Sequence, residues 1–201
     1  MVSIKILESN ATIQKEINKA LSKQVDKRLA RAADKVRSGI VPVIRAALLS
    51  SPEISSLSGG TLRGEFGLTF DPTSSLVEAI VESLEVEVQR VDAQLNGGFI
   101  IRMQPSNFAN LLSLPIAEQP IEKGGSIPWL KWLLTLGDSV IIADFGVEFG
   151  NHGRTGQARM TRKPAPYKVD SAFSGTSDNN FITRTIDRVF SQIQEVIRRA
   201  L

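Results

Sequence analysis

The stretch Leu76–Met103, LVEAIVESLEVEVQRVDAQLNGGFIIRM, changes its apolar period partway along. Leu76, Val77, Ile80, Val81 and Leu84 recur at three- and four-residue spacing, which is one face of a helix. From Leu84 the period becomes two: Leu84, Val86 and Val88 alternate with Glu85, Glu87 and Gln89, the pattern of a strand buried on one face. Asn96-Gly97-Gly98 carries the residues of a tight turn, and Phe99–Met103 reads as the returning strand. A helix leading into an antiparallel hairpin indicates an α+β protein, with helices covering one side of a small antiparallel sheet.

Upstream, residues 10–50 read as one long helix. Ile13, Ile17, Leu21, Val25, Leu29, Val36, Ile40 and Ile44 recur near heptad spacing with charges between them. Asn10 is the expected cap, and Pro42 is expected to kink or divide the helix. The apolar stripe is narrow as far as Arg37 and then widens. The first two-thirds should therefore lie on a surface or a partner, and the last third should enter the core. Val2, Ile4 and Ile6 suggest a short strand before it. SSPEISSLSGGT (50–61) reads as a loop, and Asp71 ahead of Pro72 and Ser74 marks the start of the next helix.

Downstream, residues 105–114 suggest a short helix and Pro115–Gly125 a loop. SIPWLKWLLTLG (126–137) reads as a helix capped by Ser126, with Trp129, Trp132, Leu133 and Leu136 on one face and Gly137 at its end. That spacing makes the tryptophans core residues rather than a stacking platform. DSVIIADFGVEFG (138–150) reads as a third strand. A polar, glycine-punctuated loop follows, carrying Arg154, Arg159, Arg162, Lys163 and Lys168. A final helix from about Asp178 should bury Ile186, Phe190 and Ile193 and end on Arg198 and Arg199, which suit its negative pole. The chain thus divides into an N-terminal segment, 1–50, and a body, 51–201, expected to fold as one unit.

At 201 residues and 42% hydrophobic content the chain can bury a core without staples. It has no cysteine, which excludes disulfides, a thiolate nucleophile and cysteine-ligated metal sites. No run reaches the ~18 apolar residues that span a bilayer, and the first residues lack a secretory pattern, so the expectation is cytoplasmic folding without membrane contact. Net charge is only +3, but its distribution is uneven. Residues 15–37 hold eight cations against Glu16, Asp26 and Asp34. Residues 76–92 hold Glu78, Glu82, Glu85, Glu87 and Asp92 against Arg90 alone. A basic rod and an acidic body suit head-to-tail or ring-like self-association.

Catalysis needs convergent titratable groups, and the sequence offers few. His152 is the only histidine, without HExxH spacing or a nucleophile elbow, and reads as a solvent-exposed loop residue. Gly146, Gly150, Gly153 and Gly156 belong to no GxxxxGK[ST] loop. Asp144 and Glu148 share strand parity and Asp138 lies nearby, but no third ligand or phosphate-handling lysine accompanies them. No catalytic residue, metal or cofactor is expected, and an enzyme is the last of the readings.

VEFGNHGRTGQARM, PAPYKV and DNNFITRTIDRVFSQIQEVIRRAL together resemble the tail-completion and minor-tail proteins of tailed bacteriophages. Val147-Glu148-Phe149-Gly150 matches that family's phrase at the end of a strand. Phe181-Ile182-Thr183-Arg184 matches loosely the aromatic-and-arginine phrase that opens its final helix, with Asn179-Asn180 where proline is commoner. The insert between the phrases is longer than usual, and the tryptophan helix has no counterpart in the simplest members. The resemblance implies a virion structural protein of the neck, or head–tail connector, assembled in the host cytoplasm. It further implies a ring, typically of six copies, in contact with neighbouring neck and tail proteins, through which genomic DNA passes without sequence-specific binding. The expected assembly surface comprises Leu21, Lys23, Val25, Lys27 and Arg31 on the long helix, with Glu148, Phe149 and Arg154 at the strand end. The alternative is a nucleic-acid-binding accessory protein that uses the basic helix 15–37 and the 154–168 loop.

Overall fold

Ser9, rather than Asn10, opens the long helix α1 (Asn10–Leu49): its hydroxyl accepts from the Thr12 N–H. The computed structural model describes residues 9–105, 107–121 and 124–201, so the Val2–Ile6 strand lies outside the described residues. At about 1.5 Å per residue, the 40 residues of α1 span roughly 60 Å. Pro42 neither divides nor ends the helix. It lies on the exposed side, as does Ser38 one turn earlier, whose carbonyl loses its N–H partner, while Ile40 and Ile44 on the opposite side are fully packed.

The Ser- and Gly-rich 50–61 segment is not a loop. It forms α2 (Pro52–Gly59), and α3 (Thr61–Phe66) follows at once. Ser51 accepts from the Ile54 N–H, and Pro52 takes the first helical position, where its missing N–H costs nothing. The Ser56 hydroxyl accepts from the Leu62 N–H and ties the two helices together. Asp71 accepts from the Thr73 N–H at the start of α4 (Thr73–Glu82).

Strands β1 (Glu85–Gln89) and β2 (Gly98–Arg102) pair antiparallel as their alternation predicts, with Val86 opposite Ile101 and Val88 opposite Phe99. Their connection is longer than a two-residue turn. Asp92 organises it by accepting from the Gln94 and Asn96 N–H groups, both at 2.8 Å. The register puts Val86, Val88, Phe99 and Ile101 on one face and Glu85, Glu87, Gln89, Ile100 and Arg102 on the other. Val86, Phe99 and Ile101 pack on the core.

After α5 (Ala109–Leu112) and a 3₁₀ turn at Pro115–Ala117, β3 (Gln119–Pro120) pairs with β4 (Ser126–Ile127). Ser126 is therefore a strand residue bonded to Glu118 and caps no helix. Helix α6 is short, Trp129–Leu134. Trp129 is fully buried, its indole N–H donating to the Ile116 carbonyl at 2.7 Å, while Trp132 is half-buried and Leu136 exposed.

The expected third strand shrinks to β5 (Phe145–Phe149), because Val140 and Ile142 lie partly in solvent and Asp144 has φ of +58°. It pairs with β6 (Ala158–Arg162), a strand inside what the sequence presents as loop, so the hairpins are separate ribbons instead of one sheet. Helix α7 (Phe181–Ala200) starts at a reciprocal cap. Asn180 accepts from the Ile182 and Thr183 N–H groups, and the Thr183 hydroxyl accepts from the Asn180 N–H. Phe181, Ile182, Val189 and Ile193 are buried. Phe190, the expected core residue, is 55% exposed, and Ile186 is only half-buried.

The molecule is α+β, with α1 and α7 running antiparallel along one side of a single core. Arg188 donates to the Ala47 carbonyl near one end of their seam, and Arg28 donates to the Leu201 carbonyl near the other. Between them a Cβ on Gly39 would lie 2.6 Å from Val196 Cγ1, so the two helices approach as closely as glycine allows.

Candidate assembly surface

Helix α7 ends level with Arg28, and α1 continues for five turns beyond it. This N-terminal half of α1 meets its own body through polar side chains. Asn18 donates to the Ala93 carbonyl, and the Asp26 carboxylate accepts from the Val91 N–H at 2.8 Å. Both partners belong to the turn between β1 and β2. The apolar stripe points elsewhere: Ile17 is 48%, Leu21 45% and Val25 37% exposed, and burial begins only at Leu29. These three side chains prolong the seam that α7 covers farther along, and among the described residues nothing covers them.

A second feature of α1 lies on another side. Lys15, Lys19, Lys23, Lys27, Arg31 and Lys35 occupy every fourth position and form a ridge of six exposed cations that turns about 40° around the helix at each step, with Lys23, Lys27 and Arg31 at its centre facing away from both the stripe and the body. The one ion pair that any of them makes among the described residues is Lys19 with Glu16, a marginal 3.9 Å contact. Leu21 and Lys23, two residues apart on a helix, point about 160° from one another. Around Lys23, Lys27 and Arg31 the rod thus presents its body contact, an apolar stripe and a cationic ridge in three directions. The regular four-residue repeat of Lys and Arg was available in the sequence, where charge counting alone concealed it.

The remaining expected interface residues cluster at the far end of the molecule but have internal work. Arg154 is not free for a neighbour: its guanidinium donates to the Gly67 and Pro120 carbonyls, both at 2.9 Å, and clamps the loop before β6 to the end of α3 and to β3. Glu148 accepts from Arg159 and lies 3.9 Å from Lys163. The Arg159 hydrogen bond holds its carboxyl below the usual carboxylate range. Phe149 leans on Gly64 with one edge while remaining 53% exposed. Asp138, another of the three acidic candidates, faces Lys168 at 3.3 Å. His152 is half-buried, not fully exposed, and its Nε2 is hydrogen-bonded to the Glu148 carbonyl oxygen.

Between α3 and the β5–β6 ribbon lies an apolar cleft of about 670 Å³, lined by Ile121, Ile127, Ile142, Val147 and Met160 with Glu65 at its wall. Glu65 Oε2 and the Tyr167 hydroxyl are buried without a hydrogen-bonding partner among the described residues. Burial, and then the charge of Asp170, pushes the Glu65 carboxyl up to about 7, and burial pushes the Tyr167 hydroxyl up as well. Sequence reading missed this pair, because a glutamate flanked by Gly64 and Phe66 carries no local sign of burial. No group of three or more histidine, aspartate or glutamate side chains converges at metal-binding distance among the described residues.

No family model, curated protein or solved structure matches the chain, so no relative supplies a role for any of these residues.

Proposed function

We propose that this chain is a structural subunit of the neck of a tailed bacteriophage, of the tail-completion type. In this reading it works through its surfaces in a ring that joins tail to head and lets DNA pass. The observation that carries the proposal is the Ile17–Leu21–Val25 stripe, apolar, in line with the α1–α7 seam and uncovered. Covering the exposed half of each side chain would contribute about 1 kcal/mol apiece. That is too little for one isolated contact, but it is repeated at every subunit of a closed ring. The resemblance of the 147–150 and 181–184 phrases supplies the virion context. Those phrases form the end of β5 and the first turn of α7. The six-cation ridge favours a second reading, a nucleic-acid-binding accessory protein.

Sedimentation and tail attachment of Leu21→Asp with Val25→Asp test the proposal. The double variant should keep the helical content and unfolding transition of the parent, because both side chains lie outside the core, yet fail to assemble or to join tails to heads. A variant that assembles and joins normally would remove the stripe as an assembly surface and favour the nucleic-acid reading.

A further inference from the structure

The outer face of the β1–β2 ribbon is acidic and the ridge of α1 is basic, and within one subunit they cannot meet. Helix α1 runs beside β1, held at both ends: Asp26 accepts from the Val91 N–H and Arg37 donates to the Leu84 carbonyl. Val86, Phe99 and Ile101 fill the inner side of the ribbon. Glu85, Glu87 and Gln89 stand exposed on its outer side, around a half-buried Ile100 that packs on nothing in the core. The one cation on this face is Arg102, paired with Glu87. No ion pair joins the ridge to this face within the chain, among the described residues.

We propose that the cationic ridge of α1, centred on Lys23, Lys27 and Arg31, docks on the Glu85–Glu87 face of a second copy. This inference rests on the reading of the chain as a ring subunit and names the junction between neighbours. Two different surfaces that complement one another make a heterologous contact, and such a contact closes into a ring when the rotation allows. The spacing agrees. Cations four residues apart on a helix rise about 6 Å per step, and alternate residues of a strand are about 6.6 Å apart. Lys23 and Lys27 can therefore sit over Glu85 and Glu87 together, with Ile100 forming the dry floor between them. The stripe on the opposite side of α1 stays free for a different contact.

The test uses charge reversal in the full chain, read by sedimentation at 20 mM and 500 mM salt. Lys23→Glu with Lys27→Glu, and separately Glu85→Lys with Glu87→Lys, should each weaken self-association by about 10-fold or more at low salt, with a smaller deficit at high salt. All four changes in one chain should restore association, since every junction then pairs an acidic ridge with a basic face. Restoration is the decisive result, because neither a folding defect nor a lost nucleic-acid contact predicts it. Reversals that leave association unchanged, or a four-fold variant as weak as the single-sided ones, overturn the proposed junction. The Leu21→Asp, Val25→Asp result then still decides the ring reading separately. Ridge reversals that abolish binding to a DNA duplex while sparing self-association would likewise overturn it.

Discussion

Replacing Arg184 with alanine removes the cation that faces a nearly inaccessible carboxylate. The Glu53 side chain is 5% exposed and the Arg184 side chain 35%, and their closest N–O distance is 2.7 Å. The pair fastens the first turn of α7 to the first turn of α2, and Arg184 also donates to the Asn179 side-chain oxygen at 3.1 Å. Breaking a buried ion pair by removing one partner costs about 3–5 kcal/mol, most of it the stranded charge. Water reaches the arginine side here, which lowers the expectation for Arg184→Ala to about 2–3 kcal/mol. Against the ~10 kcal/mol typical of a domain, that is a large fraction. Urea unfolding followed by circular dichroism should show the midpoint fall with an unchanged slope. Arg184→Ala combined with Glu53→Gln should be less destabilised than the sum of the two single changes, since no charge is then stranded. An Arg184→Ala protein within 0.5 kcal/mol of the parent, or strictly additive changes, would refute the reasoning.

Phe181→Ala should cost about 3–5 kcal/mol and Phe190→Ala less than about 1, by the same unfolding measurement, because the first ring is enclosed and the second lies largely in solvent. Gly39→Ala should destabilise by about 1–3 kcal/mol despite the better helix propensity of alanine; Val196→Ala in that background should recover part of the loss by clearing the 2.6 Å contact. The Glu65 carboxyl holds its proton to about 7 in the folded protein against 4.5 normally. Its stabilising effect is therefore complete below about 4.5 and is lost as pH rises through 7, on the order of 1–2 kcal/mol after allowance for partial exposure. Glu65→Gln should flatten stability between pH 5 and 7.5 relative to the parent and be the more stable protein at pH 8; equal slopes for the two proteins would contradict the assignment.

The β1–β2 hairpin was legible because one of its faces is buried and the other charged, so its period shows in the residues themselves. Helix α1 was legible for its length and spacing. Strand β6 was not, because Arg159, Thr161 and Arg162 put polar side chains on both faces of a ribbon that covers little. Helix α2 was hidden by its serines. In the fold, Ser51 caps and Ser56 ties backbone to backbone, and the Ser51-Pro52-Glu53 start is a cap signal that composition outweighed. Phe190 was misplaced because the apolar residues of α7 spread over about half its circumference with Phe190 at one edge, so periodicity marks an arc without saying which part α1 occupies. For the candidate assembly surface, the sequence marked Leu21 and Val25 as apolar on a charged helix. Only the fold shows α7 stopping short of them and Asn18 and Asp26 holding the body in their place.

The seam between α1 and α7 has a bearing on when the protein can become itself during synthesis. The residues of α1 that α7 must cover leave the ribosome 141 to 173 residues ahead of their partners, an interval on the order of 10 seconds at ordinary elongation rates. Throughout that interval Val36, Ile40 and Gly39 have no α7 to meet, and the uncovered stripe extends from Ile17 far into what will become core. The closing of α7 shortens the available stripe to its N-terminal turns. Helix α7 therefore acts as a clock as well as a wall: until it is made, the apolar length open on α1 is longer than the folded protein shows.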